Sequence, residues 1–184
     1  QATLALKSRH PGLELHVSAA KSLDLLADVE SGALDAAIAV REPGPARPAL
    51  AWTSLYSEPM VLLASRATGN EPLRTLLQRH PFIRFDRSQH TGQLVERTLR
   101  KLRAKPQEFL ELNAIESILE LVRSGLGVAI VPHLRDSRWQ ADARLRVLEI
   151  PLAEVRQIAL VQARESAQSA LVSAVVREFQ GRLL

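Results

Sequence analysis

With 184 residues, 46% of them hydrophobic and 24% charged, the chain is long enough to bury a core and fits one large domain or two small lobes. The absence of cysteine excludes a disulfide-stapled scaffold and a thiolate metal site, and no apolar run approaches the roughly 20 residues that cross a bilayer. The net charge of +4 comes from scattered arginines rather than one concentrated face, and four Phe, two Trp and one Tyr make no stacking platform for single-stranded nucleic acid. The N-terminus lacks the basic-then-apolar layout of a secretion signal, so a soluble, cytoplasmic protein is expected.

Residues 2–9 read as the end of a helix stopped by His10, Pro11 and Gly12, and residues 13–18 alternate apolar and polar as a strand does. A helix follows from Ser22 to Gly32, with Asp24 in its first turn, Leu25, Leu26 and Val29 on its inner face and Gly32 as terminator. Residues 34–40 read as a buried strand, parallel to the first and joined to it by a right-handed crossover. Residues 42–50 are rich in proline and glycine and predict a loop. Residues 51–63 are extended, with a break near Ser57, Glu58 and Pro59.

Asn70 is placed to cap a short helix with Pro72 in its first turn and Leu73, Leu76 and Leu77 facing inward. Alternation then predicts a strand at 82–85, a helix at 91–103, a strand at 109–112, a helix at 114–124 and a strand at 128–131. On the 91–103 helix, Arg97, Arg100, Lys101 and Arg103, continued by Lys105, oppose Val95, Leu99 and Leu102, the layout of a solvated face rather than a phosphate-binding stripe. Strands at 144–150 and 157–162 follow. Leu171, Val172, Val175, Val176 and Phe179 make a closing amphipathic helix. Two halves result, 1–60 with 165–184 and 61–164, connected by extended segments around 56–63 and 155–164, and a cleft between them is expected.

The clearest stretch is 112–132, LNAIESILELVRSGLGVAIVP. Helical spacing ends at Gly125, and a β-branched run closes on Pro132, so a helix hands over to a buried strand. In such α/β lobes, ligand contacts come from strand C-termini and helix N-termini, whose free N–H groups favour anions. That rule selects Ser18, Ser22 and Arg41 in the first lobe, and Asp86, Ser88, Thr91, Asn113, Ser117 and His133 in the second. Each also has a structural role open to it. Ser22, Ser88, Thr91 and Asn113 are cap residues in their own right, Arg41 and Arg84 suit surface or interlobe ion pairs, Asp86 suits a cap or a pair with Arg87, and His133 suits a solvated loop.

Catalytic signatures are missing. The five histidines, at 10, 16, 80, 90 and 133, have no metal-clamp spacing, and neither a nucleophile elbow nor a phosphate loop occurs. Gly125-Leu126-Gly127 follows a helix and lacks the third glycine of a dinucleotide fingerprint. Neither an enzyme, nor a metal, nor a cofactor is expected.

Three blocks in order, HPGLELHVSAAKSLDLLADVESGALDAAIAVREP, LYSEPMVLLAS and IESILELVRSGLGVAIVP, resemble the effector-binding domain of LysR-type transcriptional regulators, a likeness running from about His10 to Leu184. The resemblance implies an α/β fold of two Rossmann-like lobes with an interlobe cleft, as in type 2 periplasmic binding proteins. It implies a small-molecule effector, for which Arg41 and the helix starts suit an organic anion, and positions lining the effector pocket at Ser22, Thr91 and Asn113. Effector preference for one lobe arrangement would shift a quaternary equilibrium.

The resemblance further implies an antiparallel homodimer, residues 2–9 with 13–18 against 91–103 with 109–112 of the partner, and a tetramer in the full-length protein. Leu4, Leu6, Leu13 and Leu15 suit that interface or packing on the sheet. DNA would be bound only by an N-terminal winged helix-turn-helix and linker helix lying before Gln1, together with most of the first strand and its loop, so the chain is expected to be a fragment of a longer protein. A periplasmic solute-binding protein of the same fold is the rival reading.

Overall fold

Helical and strand periods along the chain build the elements in a computed structural model that describes residues 7–42, 47–135, 137–166 and 168–180. Two compact units divide it, Gln1–Ser57 with Gln157–Leu184, and Glu58–Arg156.

In the first unit, α1 (Ser22–Ser31) buries Leu26 and Val29 and ends where Gly32 turns left-handed at φ +78° and donates its N–H to the Val29 carbonyl. A Cβ at that φ would be strained, which is why glycine stops the helix. Strand β1 (Ala36–Val40) pairs antiparallel with β7 (Val155–Ala163), in register from Ala36 opposite Gln162 to Val40 opposite Ile158. The sheet order continues from β7 to β2 (Leu50–Ser65). Leu26, Val29, Ala37, Leu50 and Val161 form one core cluster. Leu55, Leu160 and Val172 form another, against which Val175, Val176 and Phe179 of α5 (Ser169–Gln180) pack.

Several expectations for this unit need correction. Residues 13–18 form no strand, and Val17 is 76% exposed. Alternation supplies two faces but not a partner strand, and among the described residues none pairs there, so the expected parallel crossover is replaced by the antiparallel β1–β7 pair. Leu171 is 43% exposed on the outer side of α5. Residues 7–9 are helical, while Leu4, Leu6 and the rest of 2–6 lie outside the described residues, as do 43–46 of the expected loop, whose last residue, Leu50, already begins β2.

The second unit is centred on the later half of β2, which pairs antiparallel with β5 (Ala129–Pro132) on one side and β6 (Leu145–Glu149) on the other. All six residues from Met60 to Ser65 are buried, as expected of a strand covered on both faces. Beyond β5, Phe82 of β3 (Phe82–Phe85) bridges Val128 in parallel, and β3 pairs in parallel with β4 (Glu108–Leu112). Between these strands run α3 (His90–Leu102) and α4 (Ile115–Arg123), and α2 (Leu73–Arg79) buries Leu76 and Leu77. One apolar cluster joins the sheet to these helices.

Two local predictions fail here. The break at Ser57–Pro59 is absent because the Pro59 carbonyl accepts the His133 N–H at 2.8 Å and the Met60 N–H reaches the Glu154 carbonyl at 2.9 Å. Proline removes one donor and leaves the strand continuous. Glu58, only 3% exposed, is neutralised by Arg156, whose Nε lies 2.7 Å away. Asn70 lies in a turn, and Pro72 holds the N-cap position of α2 with no side-chain cap, because proline's fixed φ already prepares the helix start.

Candidate functional site

Strands β4, β3 and β5 run parallel and side by side, so their C-terminal ends share one edge of the second unit. That is the edge where α/β sheets present loops and helix starts to a ligand. The topology brings together the segments 86–91 after β3, 113–117 after β4 and His133 after β5. Six of the nine expected site residues therefore share an edge of one unit.

Their environments differ. The Asp86 carboxylate accepts the Ser88 N–H at 2.8 Å, the Ser88 hydroxyl at 2.7 Å and the Gln89 side-chain amide at 3.1 Å. This Asx-type turn places a negative charge before α3, so that helix start is a poor place for an anion. Gly92 follows because no side chain fits: a Cβ would lie 2.0 Å from the Asp86 carbonyl oxygen. Thr91 is buried in the first turn of α3.

The start of α4 is different in kind. Its N-cap, Ala114, offers no side-chain cap, and Asn113 and Ser117 are exposed beside it. First-turn N–H groups without intrahelical partners carry the positive end of the helix dipole. Glu116 opposes this in the same turn.

His133 is half-buried, its ring 5.9 Å from that of Trp139 at a tilt of 58°. The solvated-loop expectation is corrected: the backbone bond to Pro59 and the indole hold it.

The cap expectations fail as a group. The N-cap positions belong to Lys21, Gln89 and Ala114, none with a side-chain cap bond, so Ser22, Thr91 and Asn113 do not cap, and Ser88 bonds Asp86 instead. Each helix begins one or two residues away from the polar residue that pattern alone would choose, the usual scale by which helix ends shift. Arg87 turns to Glu108 and Glu111. Its bond to Glu108 is the main reason its guanidinium is held above, and the Glu108 carboxyl below, their ordinary values. Arg84 is 3% exposed rather than at the surface, bonded to Glu96 and Glu108 at 3.0 Å within the same unit and stacked over Phe82.

In the first unit, Ser18 is exposed on the irregular segment before α1, Ser22 is half-buried at the start of α1, and Arg41 is exposed just after β1. The Arg41 N–H donates to the Gln157 carbonyl at 2.9 Å, and its guanidinium lies 5.9 Å from the centre of the Trp52 ring. Stacking on an indole takes the place of the ion pair that the sequence suggested.

Sequence reasoning missed Trp139 and Gly92. A glycine in a helix's first turn was a readable sign of close backbone approach; nothing local pointed to Trp139. Among the described residues there is no group of three side chains able to hold a metal ion, and no helix is long and apolar enough to cross a membrane. The arrangement suits recognition through N–H and hydroxyl donors.

Comparison with known proteins bears on the family and the fold. The family profile described as the LysR substrate binding domain matches residues 1–183. The HTH-type transcriptional regulator CbbR of Xanthobacter flavus is 32% identical over 179 residues, covering 89% of this chain and 51% of that protein, so the chain spans about half the length of this curated relative. Solved structures share the fold. The QuiR effector binding domain in complex with shikimate has a TM-score of 0.76 at 16% identity, covering all of this chain and 90% of that one. The Synechocystis CcmR regulatory domain in complex with 2-PG has a TM-score of 0.76 at 17% identity, covering 98% and 88%. A reduced form of OxyR from N. meningitidis has a TM-score of 0.77 at 18% identity, covering 97% and 86%.

Proposed function

The chain belongs to the LysR substrate-binding domain family, and we propose that it senses a small organic anion at the edge where β3, β4 and β5 end. The observation that carries this reading is the start of α4: a helix of 9 residues without a side-chain cap, flanked by exposed Asn113 and Ser117. Thr91 and His133 lie at the same edge, while Asp86 and Ser88 shape the turn. Taken by itself, the first unit offers Ser18, Ser22 and Arg41 as candidates, Arg41 with a guanidinium for a carboxylate. Shikimate, bound in QuiR, is such a carboxylate. The role is binding without turnover.

In the full-length protein, effector binding would favour one arrangement of a dimer or tetramer, and that preference would reach an N-terminal winged helix-turn-helix on DNA in the cytoplasm. The antiparallel pair would use α3 and β4, whose Phe109 is 54% exposed, against residues 2–9 and 13–18 of a partner.

A thermal-shift screen of shikimate, 2-PG, other small carboxylates, amino acids and sugars tests the reading, since a ligand selective for the folded state raises the melting temperature. Anions are expected to raise it, and Arg41→Ala and Ser117→Ala to weaken the effect several-fold. A screen in which only neutral sugars stabilise the protein would overturn the anion, and a screen without any stabiliser the sensing role.

A further inference from the structure

We propose that the indole N–H of Trp139 is a specificity-determining donor for the effector, given to an acceptor oxygen that enters beside His133. The inference rests on the effector reading above and names one atom of it.

Trp139 stands on a short 3-10 turn, Arg138–Ala141, after β5. It is 6% exposed and belongs to the second unit's apolar cluster, yet its Nε1 has no hydrogen-bond partner among the described residues. Its neighbours in the loop are served: the Ser137 hydroxyl and the Gln140 amide both donate to the Leu134 carbonyl, at 2.9 and 2.6 Å. A buried N–H without an acceptor is rare because desolvation is left uncompensated. If apolar packing were the whole role of this position, phenylalanine would fill it without that penalty.

The indole does not sit at random in the unit. Its ring lies against the ring of His133, the residue that follows β5 at the shared C-terminal edge. The comparable orphan among the described residues, Oε1 of Gln162, is an acceptor on β7 in the first unit. A donor in a desolvated place bonds most strongly to an ionised oxygen. It also discriminates against analogues that lack an oxygen there, because those leave it unsatisfied. The ligand class is therefore an organic acid presenting a carboxylate, phosphate or hydroxyl oxygen toward the His133 side.

The test uses Trp139→Phe, which keeps an aromatic ring and deletes the N–H, with Trp52→Phe to assign the two indole signals. Shikimate, 2-PG and inorganic phosphate are titrated calorimetrically and by nitrogen-15 NMR. We expect Trp139→Phe to melt no lower than the parent without ligand, and to bind the probe about tenfold more weakly. In the parent, the Trp139 indole proton should move downfield on binding. Unchanged affinity in Trp139→Phe, or an indole signal that stays in place while the probe binds, overturns the inference and leaves the effector reading standing. Should Trp139→Phe not fold, the parent's indole signal alone decides. If no probe binds the parent, both readings fall.

Discussion

Gly92 and Gly127 act through what they lack. Cβ atoms built on them would lie 2.0 Å from the Asp86 carbonyl oxygen and 2.3 Å from that of Pro81, backbone atoms that move only with their strands. Gly127→Ala should therefore destabilise the protein by about 2 kcal/mol or more, whereas Gly12→Ala, with nothing within 4 Å, should stay within about 0.5 kcal/mol; urea unfolding curves separate the two. Arg84 predicts an asymmetry of a different origin. Its side chain is 4% exposed, while those of Glu96 and Glu108 are 36% and 41% exposed. Arg84→Met leaves two carboxylates that water can reach and should cost no more than about 1 kcal/mol. The double change Glu96→Gln with Glu108→Gln strands a buried guanidinium and should cost about 3 kcal/mol. Equal losses in the two variants would contradict this account.

Elements of the second unit are tied together by carboxylates in ways that make stability depend on pH. Glu154, just before β7, is bonded by Lys101 at 2.8 Å and Arg97 at 3.1 Å from α3, and the bond to Lys101 is the leading reason its carboxyl is held below the ordinary value of 4.5. Glu108 on β4 is lowered from 4.5 chiefly by its bond to Arg87. A carboxyl whose folded value lies below its unfolded one contributes stability that is present above the unfolded value and lost as the pH falls through the folded value. The melting temperature should thus decline as the pH drops below about 4.5, and Glu108→Gln with Glu154→Gln should flatten that decline. A melting profile of unaltered slope in the double variant would show that other carboxylates govern acid unfolding. The short stops in this unit have a steric logic of the same kind: Gly125 at φ +75° ends the turn after α4, and Gly127 lets β5 settle against Pro81.

At the scale of the whole molecule, one strand edge has no partner among the described residues. In the sheet of the second unit, β4 pairs only with β3 among the described residues, and it exposes 54% of Phe109 and 39% of Leu110, features that invite association or must be guarded against it. If the proposed antiparallel homodimer forms through α3 and β4, the protein should sediment as a dimer at tens of micromolar. Phe109→Glu should convert it to monomer, with stability changed by no more than about 0.5 kcal/mol for a substitution at an exposed position. A wild-type protein that sediments only as monomer would remove the dimer from this chain.

The candidate site was legible to the extent that it obeys local rules. The order of strands and helices that puts these residues after β3, β4 and β5 was readable because hydrophobic period and αL glycines are written in short windows, as at Gly32 and Gly125. The roles of those residues were less legible: Ser22 and Asn113 lie one residue from their caps and Thr91 two, since so small a shift leaves the pattern almost unchanged. Strand partners were the hardest to read. That 13–18 lacks a ladder, that β1 runs antiparallel to β7 and that β2 passes through Pro59 unbroken depend on backbone pairing between residues far apart in the chain, and the Trp139 indole meets the ring of His133, six residues before it, only through the path of the loop between them. Local sequence thus determined which segments are helical or extended and where helices stop, because φ and ψ preferences act over a few residues. Tertiary structure alone decided pairing, burial of Arg84 and the company of each candidate side chain, because those follow from which surfaces meet once the chain has closed.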